Sequence, residues 1–499
     1  MKISTIGLRD NVFLLRSLLF ITVILFIKPN IFGQDSHENI QEGNVNNVLF
    51  IMVDDLFNNF NVYDLRTPNI NKLINRGMLF DRAYAQAPLC NPSRSSILTG
   101  KRPNNLRIWS NAPHFRGIHP RIKTLPEVFK DQGYTAIGIG KIFHNWGQAL
   151  MGDPKSWSRP EMYHWAAHSQ DWYIPGRPFE IHGDIPKGAA VQMEDVPDEA
   201  YLDGRIANEA INTLRNLRET PFFLAVGFWK PHLPYNAPKK YWDYYDRSKL
   251  PSLSYTDEIN SISDWNYIDS NEARSYSDVP KNGPISDNKK LELRHGYYAA
   301  ISFLDAQIGK IIDELENLDL MDKTTIVFLS DHGYHAGEHG QFGKWTNFEI
   351  GTRVPLVVYS PNLTKPGSKS SSIVELIDLF PTLVEIADID IENLSQKLDG
   401  NSLLPIFENP KREIKKIAVS QIPRPLGSEA NFSIIGSSIR DKDYRYVQWK
   451  SVNNDSIIAE ELYNLKQNLF KVDNIISDKR EQRIVQGLKR SLNETLKVE

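Results

Sequence analysis

The stretch LCNPSRSSILTG at 89–100 holds the only cysteine of the 499-residue chain. Pro92 suits the first turn of a helix and Ser93 to Leu98 continue it, so Cys90 sits at or just before a helix N-terminus. Unpaired N–H groups and the helix dipole favour anions there. Arg94, one turn on, can return its guanidinium toward Cys90 and add a fork shaped for a tetrahedral oxyanion. The chemistry implied is capture of an oxyanion beside a side chain that points at it. A plain helix cap is the competing explanation, and Cys90 itself is a buried small hydrophobe, a reactive thiol or a residue destined for modification.

Other polar residues that can do chemistry end short apolar runs: Asp54 and Asp55 in VLFIMVDD at 48–55, Lys141 and His144 in YTAIGIGKIFH at 134–144. Lys230 and His232 end FFLAVGFWKPH at 222–232, and Asp331 and His332 follow the run at 324–330. These runs are continuous rather than alternating, as strands covered by helices on both faces are. Helical patterns lie between and after them, at 69–85, 125–133, 203–219, 295–318 and 371–387. Further strands are expected at 354–361 and at 416–421, the latter as the last strand of the large domain. Strand alternating with helix predicts an α/β fold with a large, mostly parallel sheet flanked by helices, whose ligands bind beyond the carboxyl ends of the strands. Residues 233–290 show little periodicity and are expected to run as a long excursion over that edge.

A chain this long exceeds the ~250 to 300 residues at which single cores stop growing, so a second domain is expected. The sequence places a catalytic domain at 45–428 and a small domain of antiparallel sheet plus helix at 429–499. Residues 1–33, with Lys2, Arg9 and Arg16 before the apolar run LLFITVILFI, have the pattern of a signal peptide, which implies export to a periplasmic or secreted location. Hydrophobic residues make up 41% and charged residues 24%, as in a folded globular protein. The net charge of -3 provides no global field for nucleic acid, and no stable membrane partner is expected.

CNPSRSSILTG resembles the signature of the formylglycine-dependent sulfatases, Cys-x-Pro-Ser-Arg followed by Leu-Thr-Gly. VDD, GKIFH, KPHLPY, DHGYHAGEHGQFGKW and RVPL follow the same family in order, and GFWKPHLPY and DHGYHAGEHG are most similar to its iduronate-2-sulfatase branch. The resemblance implies an alkaline phosphatase/sulfatase-like fold. It also implies that Cys90 is converted to formylglycine by a formylglycine-generating enzyme, which would answer what the lone cysteine is for. By the same resemblance Asp54, Asp55, Asp331 and His332 hold a calcium ion (Ca2+) beside residue 90, and Arg94 holds its hydrate. Lys141, His144, His232 and Lys344 would surround the sulfate. His332 stands where asparagine is common in the family, and imidazole is a softer donor than a carboxylate. The implied substrate is a sulfated polysaccharide or oligosaccharide bearing a 2-O-sulfated uronic acid, in a glycosaminoglycan or an ulvan-type glycan.

Bland roles compete residue by residue. Lys230 reads as structural, and His335, Glu338 and His339 as fixed partners behind the site. Trp146, Trp157, Trp165, Trp172 and Tyr173 suit either sugar stacking or core packing. Two rival functions remain: a zinc phosphoesterase that would draw on Asp305, and a silent binder of sulfated glycans. Asp305 lies inside SFLDAQIG, which points to a helix residue instead.

Overall fold

A computed structural model describes residues 47–58, 64–144, 152–163, 188–251, 263–392, 394–425 and 432–497. The expected signal peptide lies outside them, as do Trp146, Trp165, Trp172 and Tyr173. Among the described residues no helix is long and apolar enough to cross a membrane.

The large sheet is built from β1 (Asn47–Asp54), β2 (Met78–Tyr84), β3 (Thr135–Gly140), β4 (Phe222–Pro231), β5 (Thr324–Ser330), β6 (Arg353–Val354), β7 (Leu356–Tyr359) and β8 (Ser368–Glu375). Their order is β6-β2-β7-β5-β1-β4-β3, with β8 also paired to β2. The centre, β5-β1-β4-β3, is parallel, whereas β7 runs antiparallel to β5 and β2. Side chains of β1 alternate between two cores: Leu49, Ile51 and Val53 enter one, Val48, Phe50 and Met52 the other. That is why the run is apolar throughout rather than alternating.

Helices α1 (Pro68–Arg76), α2 (Cys90–Thr99), α3 (Leu125–Asp131), α4 (Leu202–Asn216), α5 (Asp287–Asn317) and α6 (Leu379–Ile386) cover the two faces. Ile70 of α1, Leu214 of α4 and Ile308 of α5 pack on the first core; Ile97 of α2, Phe129 of α3 and Leu383 of α6 pack on the second.

Three sequence expectations are corrected. The helix expected over 69–85 stops at Arg76, and 78–84 form β2. Gly77 makes the break, because a Cβ there would lie 2.6 Å from the Val358 carbonyl oxygen of the neighbouring strand. The helix expected over 371–387 is likewise a strand, β8, followed by α6, since Ile373 and Val374 pair in register with β2 rather than continuing a helical stripe. The strand expected at 416–421 is not the last of the large sheet. As β9 (Ala418–Arg424) it edges a separate antiparallel sheet, in the order β9, β10 (Ile434–Arg440), β11 (Tyr444–Ser451), β12 (Ile457–Asn464), on which α7 (Gln482–Thr495) packs.

This small sheet reaches back over the large one. Arg424 Nε donates to the Trp265 carbonyl at 2.8 Å and Nη2 to the Trp345 carbonyl at 2.7 Å. Trp265 stacks on Trp449 of β11, ring centroids 5.7 Å apart.

Candidate active site

β1 ends at Asp54, and Asp55 follows in the left-handed region at φ 66°. Consecutive strand residues point to opposite faces, so this turn is what lets both carboxylates approach His332 within one buried cluster of charges. Tyr297 Oη fixes it by donating to the Asp55 carbonyl at 2.6 Å. Asp331 follows β5, the neighbouring strand, and its Oδ1 accepts from the backbone N–H of His332 at 2.9 Å. β3 delivers Lys141 and β4 leads to His232. Gly227 of β4 permits that approach, because a Cβ there would lie 2.0 Å from the Lys141 carbonyl oxygen. Asp203, in the first turn of α4, accepts from the N–H groups of Trp229 and Lys230 at 3.0 and 2.9 Å and so shapes the end of β4.

Cys90 is the first residue of α2 and is buried. Its Sγ lies 3.3 Å from His332 Nε2, 3.5 Å from Asp54 Oδ1 and 3.8 Å from Lys141 Nζ. Lys141 Nζ donates to Asp54 Oδ2. Lys344 Nζ reaches both oxygens of Asp55, at 3.0 and 3.1 Å. His232 Nδ1 lies 2.6 Å from the Leu233 carbonyl, which can only accept, so Nδ1 carries its hydrogen and Nε2 faces Asp55 at 3.5 Å. Arg94 differs from expectation. Its Nε donates to Asp331 Oδ2 at 2.7 Å and its Nη1 to the Lys141 and Ile142 carbonyls, rather than to Cys90. Arg94 Nη2 lies 3.8 Å from Asp54 Oδ1 but makes no hydrogen bond, and neither nitrogen of His144 makes one.

The charges explain the proton positions. Burial would raise Asp54, but Lys141, His232 and Arg94 together hold it well below the ordinary carboxylate range. Asp55 goes the other way, raised by burial and by Glu272 and Asp54 against the pull of Lys344. Burial, with Asp54 adding to it, pushes the Cys90 thiol far above its usual value, so the helix N-terminus does not make it a thiolate. Burial holds His332 at about 4 in spite of Asp331.

The cluster fits a metal ion. Asp54, Cys90, Asp331 and His332 each offer one atom, all within 4.8 Å of one another. The carboxylates are hard oxygen donors, and His332 Nδ1 donates to the Gly333 carbonyl at 3.0 Å, which leaves the Nε2 lone pair facing the cluster. The unbonded Arg94 Nη2 and the one N–H of a neutral His144 are the further donors an anion would meet.

His335, Glu338 and His339, expected as fixed partners behind the site, are held by contacts outside the Cys90 cluster. His335 Nε2 pairs with Thr346 Oγ1 at 2.8 Å, Glu338 accepts from Ala336 N at 2.7 Å, and His339 Nε2 meets the Phe470 carbonyl at 2.8 Å. Lys230 Nζ donates to the Pro234 carbonyl at 2.9 Å, a structural contact. Trp157 is buried against Phe143. Asp305 accepts from Asn69 N and Ile70 N and caps α1, so it is not part of the cluster and the two-zinc arrangement loses that ligand. Sequence reasoning missed Glu272, whose Oε1 lies 3.0 Å from His232 Nε2 and 3.2 Å from Lys344 Nζ. It comes from the excursion, where a single glutamate carries no periodic signal.

A mostly parallel sheet with helices on both faces and a buried, cation-rich cluster at its carboxyl edge suits a hydrolase of anionic esters. The chain matches the Sulfatase family over residues 46–389 and the N-sulphoglucosamine sulphohydrolase C-terminal family over residues 337–498. It is 31% identical to iduronate 2-sulfatase of Homo sapiens over 93% of this chain and 96% of that one. It is 33% identical to a sulfatase of Formosa agariphila over 69% of each. A solved phosphonate monoester hydrolase from Silicibacter pomeroyi shares the fold, with a TM-score of 0.74 at 20% identity over 90% of this chain and 94% of that one. The chain belongs to the sulfatase family and is a sulfuric ester hydrolase.

Proposed function

We propose that this enzyme is exported, that it removes 2-O-sulfate from a uronic acid, iduronate above all, in a glycosaminoglycan or ulvan-type glycan, and that residue 90 acts as formylglycine. The observation that carries the reading is Cys90 Sγ at a buried helix N-terminus, with His332, Asp54 and Lys141 at 3.3, 3.5 and 3.8 Å. The GFWKPHLPY and DHGYHAGEHG motifs and the named iduronate 2-sulfatase relative support the uronate.

Asp54, Asp55, Asp331 and His332 would hold Ca2+, which would supply positive charge to a sulfate oxygen and to a hydroxyl on residue 90. Lys141 and Lys344 meet the charge that grows on the remaining sulfate oxygens. Arg94, fastened by Asp331, keeps Nη2 for the anion. His144 is neutral, because burial and then Lys141 and Arg94 hold its pKa well below the usual range, and it can take a proton from a hydroxyl on residue 90. Lys344 Nζ, or His232 Nε2 once the ring has taken up a second proton there, gives a proton to the departing sugar oxygen.

Sulfate release from defined oligosaccharides tests the substrate: 2-O-sulfated uronate disaccharides should be cleaved, and release from 6-O-sulfated hexosamines alone would overturn the uronate. Mass spectrometry of the peptide carrying residue 90 tests the mechanism, since the aldehyde fraction should rise in proportion to specific activity.

A further inference from the structure

We infer that Glu272 is a positioning residue of this site, whose carboxylate holds the His232 imidazole and the Lys344 ammonium together for delivery of a proton to the leaving sugar oxygen. The inference rests on the sulfatase reading above. One oxygen, Glu272 Oε1, meets both groups, at 3.0 Å from His232 Nε2 and 3.2 Å from Lys344 Nζ. His232 is also tied at its other nitrogen to the Leu233 carbonyl, so its ring is fixed from both ends. Among the described residues, the carboxylates paired with the flexible Lys344 side chain are Asp55 and Glu272. Any cation held by Asp55 competes with Lys344 and His232 for its oxygens, and Glu272 is then the carboxylate both keep.

Asp55, His232 and Glu272 lie close enough together to share a metal ion of their own. Lys344 Nζ already stands there, however, at 3.0 Å from Asp55 and 3.2 Å from Glu272, so the chain fills the position with its own cation.

The fold spends several buried contacts on bringing this glutamate in. Glu272 lies on the short helix Asn271–Arg274, whose flanks are fastened to the loop that carries Lys344: Ile268 N donates to Gln341 Oε1 at 2.7 Å and Phe342 N to Ser270 Oγ at 3.0 Å. Upstream, Asn266 Nδ2 donates to Glu461 of the small sheet at 2.6 Å, and Asn347 N donates to Asn266 Oδ1 at 2.9 Å. Glu272 and Lys344 are thus set as one unit.

The test uses the matured enzyme and a 2-O-sulfated uronate disaccharide. Glu272→Gln keeps the size but not the charge, and should lower kcat about tenfold to hundredfold with KM changed less than about threefold, as expected when reacting groups lose alignment. Glu272→Asp should recover part of that loss. His232→Ala combined with Glu272→Gln should lose less than the product of the two single losses, because the residues belong to one proton-delivering unit. Unchanged kcat in Glu272→Gln, a loss carried by KM, or additive losses in the double variant would each overturn the role of Glu272. Absence of sulfate release by the parent enzyme would instead overturn the functional reading on which it stands.

Discussion

Around Glu375 and Asp378, buried charges are saturated. Arg102 donates from both terminal nitrogens to the two oxygens of Glu375 at 2.6 Å, and Lys415 reaches Glu375 at 2.8 Å and Asp378 at 2.6 Å. Backbone N–H groups of Val419, Glu375 and Asn401 take up further lone pairs. Around Cys90 the same kinds of side chain are equally buried, yet Arg94 Nη2 and both nitrogens of His144 have no hydrogen bond. A buried polar group left unmade costs about 1–3 kcal/mol. In the function proposed above, the open network is the one that a sulfate would complete. Charge and burial alone therefore do not identify a site.

The largest effect should come from the open network. Cys90→Ala should lose about 10⁵-fold or more in sulfate release while keeping its melting temperature, since nucleophile removal acts on the barrier and not on the fold. Cys90→Ser should retain sulfate as a stable ester on the serine, visible by intact mass. Asp331→Asn should lose calcium, measured by metal analysis after dialysis, and about 10³-fold in turnover while staying folded by circular dichroism.

The closed network should respond in the opposite sense. Lys415→Met leaves Glu375 and Asp378 buried beside Arg102 alone and should destabilise the protein by about 3–5 kcal/mol in urea unfolding, with kcat per folded molecule unchanged. A third buried cluster sets the acid limit. Burial would raise Glu349, but Arg440 and Arg445 hold it at about 2 instead of the ordinary 4.5. A carboxyl depressed on folding contributes stability above its unfolded pKa, and loses it as pH falls through the folded value. Stability should therefore drop by about 3 kcal/mol between pH 5 and 2, and Glu349→Gln should flatten that limb. The exposed Lys239–Asp243 pair is the control: Asp243→Ala should move stability by less than about 0.5 kcal/mol.

Much of this was readable in the chain. The four central strands announced themselves as apolar runs because each is buried on both faces, and the residues that follow them had to lie at one edge. β2 and β8 were hidden because each adjoins a helix without a loop, so that one apolar stretch merges two periods. β9 was given to the wrong sheet because an apolar strand does not state its partner. Glu272 was unreadable for another reason: its position depends on Gln341 and Glu461, remote in sequence, rather than on any local pattern. Lys141 was legible as a residue of the sheet's carboxyl edge through its place after a strand, whereas the bonding of Arg94 to Asp331 required the packed structure.

The Arg424 side chain joins the carbonyls of Trp265 and Trp345, and these belong to the two segments that supply Glu272 and Lys344. A fragment ending before Ala418 would contain Asp54, Lys141, His332, Glu272 and Lys344, yet it would lack the brace that keeps the last two in register. For anyone seeking a minimal enzyme, the shortest useful length is set by Arg424 and the sheet it belongs to, not by the last residue of the pocket. Inherited or engineered changes in that remote sheet would register as lost turnover, with the pocket itself left intact in sequence.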